Sequence, residues 1–179
     1  MSEPINISLP PSVDDFDLAI DTGWEYLRSY ENVNRVFYTA SALGDFSLIW
    51  HMLNLARRIN NSERRGSILE LSLLLGAESL LVNQGLKRLF RRSRPDMGSR
   101  THPHKIRKPQ TSSFPSGHAS SAVLAASMLS EGSKLAPAYK VLAALVATSR
   151  IHVRAHHASD VIAGAAVGMI FTRLINSRR

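Results

Sequence analysis

GSILELSLLLGAESLLVNQGL, residues 66–86, decides the fold class. It is apolar over nearly its whole length and approaches the ~20 residues with which a helix crosses a bilayer. Glu70 and Glu78 interrupt it. A carboxylate facing lipid is costly, so either both acids face the interior of a bundle in a membrane, or this is a core helix of a soluble bundle. Towards the C-terminus, Lys87 to Phe114 is basic and contains prolines, which reads as a long loop of the kind kept for function. Ala119–Leu129 and Pro137–Thr148 read as two short helices rich in small residues, separated by SEGSK at 130–134 with Gly132 as a helix stop. A last helix runs from Ser159 to Ile175, and its Gly164 and Gly168 have the small-xxx-small spacing that permits close helix contact.

Towards the N-terminus, Val36–Ala56 is moderately apolar, is interrupted by Gly44-Asp45 and His51, and is closed by Arg57-Arg58. Phe16, Ile20, Trp24 and Leu27 share one face of an amphipathic helix over Asp14–Ser29, suited to a protein or bilayer surface. Residues 1–13 read as a flexible arm, with Pro4, Pro10 and Pro11 opposing helix. No strand-like alternation and no internal repeat stands out. The expected fold is all-α, with a single domain over residues 14–179.

Composition bounds the function classes. With no cysteine, the chain has no disulfide, thiol nucleophile or thiolate metal site. A net charge of +8 favours anionic partners, whether nucleic acid, anionic lipid or phosphorylated substrates. The mean hydropathy of -0.07 leaves the membrane question to the local apolar runs. The N-terminus, acidic and proline-rich, carries no evident signal peptide, so internal helices would have to direct insertion.

Three segments stand apart from this background. The first is KRLFRRSRP, residues 87–95: a lysine, six residues, then Arg94-Pro95. Pro115-Ser116-Gly117-His118 is the second, at the mouth of a helix, and the third is Ser149-Arg150, five residues, His156, three residues, Asp160. Each alone is ordinary: a solvated basic run, a turn with a serine N-cap, and an i,i+4 pair on a helix surface.

In this order they resemble the tripartite signature of the type 2 phosphatidic acid phosphatase (PAP2) family, related to vanadium haloperoxidases and class A acid phosphatases. The signature is Lys-x6-Arg-Pro, Pro-Ser-Gly-His and Ser-Arg-x5-His-x3-Asp, and every specified position is matched between residues 87 and 160. The resemblance implies an antiparallel helical bundle with the site at one end. It also implies a metal-independent phosphatase with no cofactor. His156 would be the nucleophile that forms a phosphohistidine, Asp160 its orienting carboxylate, and His118 the general acid and later the base for water. Lys87, Arg94, Ser116, Gly117 and Arg150 would bind phosphate. The residue types suit that chemistry, because fixed cations and helix N-terminal amides stabilise charge on the non-bridging oxygens.

Other polar residues carry weaker readings. His102 and His104 make a conceivable but incomplete metal pair, and no acidic cluster has metal-ligand spacing. His152 and His157 flank the nucleophile, where they could tune its pKa or contact substrate, but simple surface roles are the expectation; His51 is expected to be a helix residue without chemistry. Arg88, Arg91, Arg92, Arg100 and Arg107, with Lys105 and Lys108, exceed what the signature demands and would grip a second phosphate, anionic headgroups or nothing specific.

About five apolar helices, near 36–56, 66–86, 119–129, 135–149 and 159–175, would put all three motifs on one face of a bilayer if each spans. The expected location is integral to a cell membrane, the bacterial cytoplasmic membrane, among membrane lipid. The expected substrate is a lipid phosphate, polyprenyl-linked or a glycerolipid, with a monoester or diphosphate to cleave. The alternatives are a soluble acid phosphatase of the same superfamily and a basic, non-enzymatic helical protein that binds nucleic acid. The second explains the charge but not the ordered motifs, so no nucleic acid is expected as partner.

Overall fold

Proline 11 opens the first helix: its fixed φ suits the first helical turn, where its missing N–H costs nothing. In the computed structural model, which describes residues 5–6, 10–60, 68–96 and 111–178, that helix is α1 (Pro11–Arg28). Next come α2 (Glu31–Gly44) and α3 (Leu48–Asn60), then α4 (Ile68–Leu80), a π-helical turn at Leu81–Leu86 and a single turn, α5 (Lys87–Leu89). The chain ends in α6 (Gly117–Ser130), α7 (Ala136–His152) and α8 (Ala158–Asn176). The fold is an all-α bundle. Its strand content among the described residues is a two-residue parallel pairing of Ile5–Asn6 with Phe90–Arg91, which falls within the stretch read as an arm.

The single apolar run expected over 36–56 is broken in two. At Asp45–Ser47 the chain makes a 3-10 turn in which Phe46 and Ser47 have φ of 53° and 58°. Left-handed backbone at two successive non-glycine residues costs about 1–3 kcal/mol each, and it persists only where its surroundings demand it. Here the break turns Asp45 inward, with consequences for the site.

Helix α6 is the axis of the molecule and packs against α3, α4, α7 and α8. Ala119, Ala122, Ala125 and Ala126 are buried on it, so neighbouring backbones come close. The α8 contact is the tightest. A Cβ added at Gly164 would stand 2.2 Å from the Ser116 carbonyl oxygen, and one at Gly168 would stand 2.4 Å from that of Ser120. Trp50, Leu71, Leu75, Leu124, Leu129 and Val146 form the main apolar cluster, each large side chain contributing roughly 1.5–3 kcal/mol by leaving water.

Large apolar side chains stand on the outer surface: Leu69, Leu73, Leu80, Val141, Ile162 and Ile170 are exposed on α4, α7 and α8. Among the described residues one helix, Ala158–Asn176, is long and apolar enough to cross a membrane. Helix α6, with 14 residues, is only about 21 Å long, short of the ~30 Å hydrocarbon core. Glu78 is 1% exposed, so of the two acids in the opening stretch this one faces the bundle interior; Glu70 is half-buried.

Candidate functional site

The three motif segments are helix ends, and the bundle brings those ends together. Lys87 follows the π-helical turn after α4, Gly117 and His118 open α6, Arg150 lies in the last turn of α7, and His156 sits in the short link to α8. Lys87, Arg94, Gly117, His118, Arg150 and His156 line one cavity of 570 Å³. Gly44–Ser47, Glu78 and Asn83 complete much of its wall.

The link from α7 to α8 is braced from outside. Arg28 of α1 donates from Nε to the His152 carbonyl (2.9 Å) and from Nη2 to that of Ile151 (2.8 Å). Arg154, in the left-handed region at φ 52°, pairs with Glu25. His152 is fully buried, against the expected surface role. Its Nδ1 accepts from Trp24 Nε1 (3.0 Å), its Nε2 lies 2.8 Å from Asn34 Oδ1, and its ring stacks on Phe37 at 4.4 Å. An imidazole that accepts at Nδ1 and donates at Nε2 is neutral. His152 therefore pins α1 and α2 to the segment that carries Arg150 and His156.

His156 is almost wholly buried, with Nε2 3.4 Å from Arg94 Nη1 and Nδ1 3.7 Å from Asp160 Oδ2. Burial is the main reason that its pKa is pushed down to about 3; the Asp160 carboxylate opposes this, while Arg150 and Arg94 add to it. The ring is thus neutral through the physiological range, with a free nitrogen beside two cations. The expected partners Asp160 and His156 thus stand within ion-pair distance but beyond hydrogen-bond length. Asp160 is itself fixed: Oδ2 accepts from the His157 amide (2.9 Å) and Oδ1 accepts from Arg92 Nη1 (2.7 Å).

Arg92 is expected from sequence to grip a second phosphate, anionic headgroups or nothing specific. It is instead almost fully covered, joining Asp160 to Asp17 of α1 (2.7 Å each). Asp17 in turn accepts from the Ser159 amide (2.8 Å) and hydroxyl (2.6 Å), which ties α1 to the start of α8. The available signal was position: Arg92 lies inside the first motif, two residues before Arg94.

The cationic residues are set differently from one another. Arg94 donates to the carbonyls of Ala155 (2.6 Å), Thr111 (3.1 Å) and Ser112 (3.2 Å). Arg150 is buried and donates to Ser41 Oγ. Burial, reinforced by Arg94 and Arg150 and opposed by Glu78 and Asp160, lowers the Lys87 pKa to about 8. Gly117 is within reach of that ammonium: an added Cβ there would stand 4.0 Å from Lys87 Nζ. Ser116, expected among the phosphate ligands, is fully buried. Its hydroxyl caps α6 by accepting from the Ala119 amide (3.5 Å), and its own amide donates to the Asp160 carbonyl (3.0 Å). In this arrangement it joins α6 to α8, while Gly117 and His118 form the adjoining cavity wall.

Asp45 was not singled out in the sequence. Its Oδ1 lies 3.0 Å from His118 Nε2. His102 and His104, with Arg100, Lys105, Arg107 and Lys108, fall outside the described residues.

Three cationic side chains and two imidazoles line one cavity, a donor and charge pattern that matches a tetrahedral oxyanion. The chain belongs to the PAP2 superfamily, whose family model matches residues 67–178. It is 38% identical over 95 residues to decaprenylphosphoryl-5-phosphoribose phosphatase of two Mycobacterium tuberculosis strains, CDC 1551 / Oshkosh and ATCC 25618 / H37Rv. That match covers 51% of this chain and 50% of the relatives, so the chain spans about half the length of the curated relatives it matches. A solved structure, the first transmembrane PAP2 type phosphatidylglycerolphosphate phosphatase from Bacillus subtilis, is similar over 94% of this chain and 86% of that one, with a TM-score of 0.71 and 26% identity.

Proposed function

We propose that this chain is a membrane-integral phosphatase that removes phosphate from a lipid-linked monoester or diphosphate, through a phosphohistidine on His156 and without a metal ion. The observation that carries this reading is the convergence on one cavity of a neutral, buried imidazole, three cations and a second imidazole. In the first step the Nε2 lone pair of His156 bonds to phosphorus as the bond to the leaving oxygen breaks. His118 gives that oxygen a proton. Lys87, Arg94 and Arg150, with the amide of Gly117, take the charge on the non-bridging oxygens. Water then attacks the phosphohistidine, His118 takes its proton, and phosphate leaves.

Two supports favour a lipid. The exposed leucines and isoleucines of α4, α7 and α8 suit acyl or prenyl chains, and the relatives and the structural neighbour are phosphatases of a prenyl-linked and a glycerolipid phosphate. Both come from bacteria, so the bacterial cytoplasmic membrane is the proposed location. The deciding experiment is phosphate release from a panel of prenyl, glycerolipid and soluble phosphates in excess EDTA. The protein should stay in membranes washed with alkaline carbonate, leave them in detergent, and then hydrolyse lipid phosphates unaffected by chelator. Chelator inactivation reversed by a divalent ion would overturn the metal-free mechanism, and release by carbonate would overturn the integral placement.

Lys87 gives this site a pH signature. A lysine is charged below its pKa, so as pH rises through about 8 the empty cavity loses a cation and its grip on phosphate. In wild type, kcat/KM should fall through that range. Lys87→Arg, which stays charged, should move the fall to higher pH. An unchanged profile in Lys87→Arg would assign the alkaline limb to another group.

A further inference from the structure

We propose that Asp45 is the positioning residue for His118, making a second carboxylate–imidazole pair in the cavity beside that of Asp160 and His156. This rests on the reading of His118 as general acid. The geometry has three parts. Asp45 Oδ1 stands 3.0 Å from His118 Nε2. The preceding residue, Gly44, lies close against the same ring, since a Cβ there would meet His118 Cδ2 at 2.8 Å. The two residues that follow, Phe46 and Ser47, hold left-handed backbone. A break in an apolar helix at this cost is explained if it delivers a backbone face and a carboxylate to one imidazole.

The chemistry explains why His118 needs such a partner. A general acid must enter the cycle protonated, and most of its surroundings oppose that. Burial lowers its proton affinity, and Arg150 of α7 and Lys87 of α5 lower it further. Asp45 works the other way, through both its hydrogen bond and its charge. Glu78 of α4 and His156 of the α7–α8 link share the cavity; His156 is neutral, and Glu78 makes no ion pair with His118 among the described residues. Asp45 is also part-exposed to solvent, with 43% of its side chain accessible, so its carboxylate carries little desolvation cost. During the first step the proton on Nδ1, the ring nitrogen that Asp45 does not hold, passes from His118 to the leaving oxygen as the P–O bond breaks, and the Nε2 proton stays on the ring facing Asp45. The arrangement gives the two histidines different tasks by different surroundings: His156 is kept neutral by burial among cations, and His118 is drawn towards its charged form by Asp45.

The test is Asp45→Asn, which keeps the shape of the side chain, in the full-length protein in detergent. The titration of the His118 ring, followed by NMR with labelled histidine and assigned with His118→Ala, should shift down by about one pH unit, a tenfold smaller protonated share near neutrality. Asp45→Glu should restore part of the shift. In parallel, kcat on an alkyl phosphate should fall about tenfold at neutral pH and recover towards acid pH. An activated aryl phosphate, whose leaving group needs no proton, should lose less. In the His118→Ala background Asp45→Asn should add no further loss, because the two act as one unit. An unchanged His118 titration in Asp45→Asn overturns the inference even if the enzyme is a phosphatase. Absence of any turnover by wild type overturns the proposed function, and the titration still decides the role of Asp45.

Discussion

His156→Ala should reduce phosphate release from every substrate to background, a loss on the order of 10⁴-fold or more, as when a nucleophile is removed from a catalytic unit. The reason is positional. In the proposed mechanism Arg94 and Arg150 would stabilise charge on the phosphoryl oxygens but could not form the covalent intermediate, which the neutral, buried ring of His156 could. His152 is barred from substituting because its two ring nitrogens are committed to Trp24 and Asn34. His118→Ala should behave differently. It should cost about 10²–10⁴-fold on an alkyl phosphate, whose departing alkoxide needs a proton, and less in the first step on an activated aryl phosphate. Because His118 also activates water, phosphoenzyme should then accumulate. Alkaline denaturing quench with labelled aryl phosphate should trap acid-labile, base-stable label on wild type or His118→Ala. Label persisting in His156→Ala would reject His156 as the nucleophile.

Gly164→Ala should be the most damaging single methyl in the bundle. The added carbon would stand 2.2 Å from the Ser116 carbonyl oxygen, and no rotamer change can relieve a clash between a Cβ and backbone. Helices α6 and α8 would have to part. Such overpacking costs about 1–3 kcal/mol, sometimes more, and for a chain of this size each kcal/mol lowers Tm by roughly 2–4 °C. Activity should suffer beyond stability. Ser116 donates its amide to the Asp160 carbonyl at this crossing, so separation moves the Gly117–His118 wall away from His156. Gly168→Ala meets the Ser120 carbonyl oxygen at 2.4 Å, a turn further from the site. It should cost similar stability with a smaller loss of kcat. Thermal unfolding in detergent and phosphate release, measured on both variants, check this. Wild-type Tm and activity in Gly164→Ala would contradict so close a crossing.

The sequence by itself determined most of the helices, the motif residues and a small-residue face on the last helix. Apolar runs report helices directly, the motif residues stand at local spacings, and the i,i+4 separation of Gly164 and Gly168 puts both on one face. Those signals are local, so they survive in a one-dimensional reading. What the tertiary structure decided is who meets whom. Asp45 and His118 are separated by 73 positions, and Arg92 and Asp17 by 75, and no periodicity links such pairs. The left-handed form of the turn after Gly44, the burial of His152, and the conversion of Arg92 from a surplus charge into the brace of Asp160 all arise the same way. A side chain's partner depends on which helix end its neighbours are packed against, and that is fixed only when the whole bundle excludes water from its core.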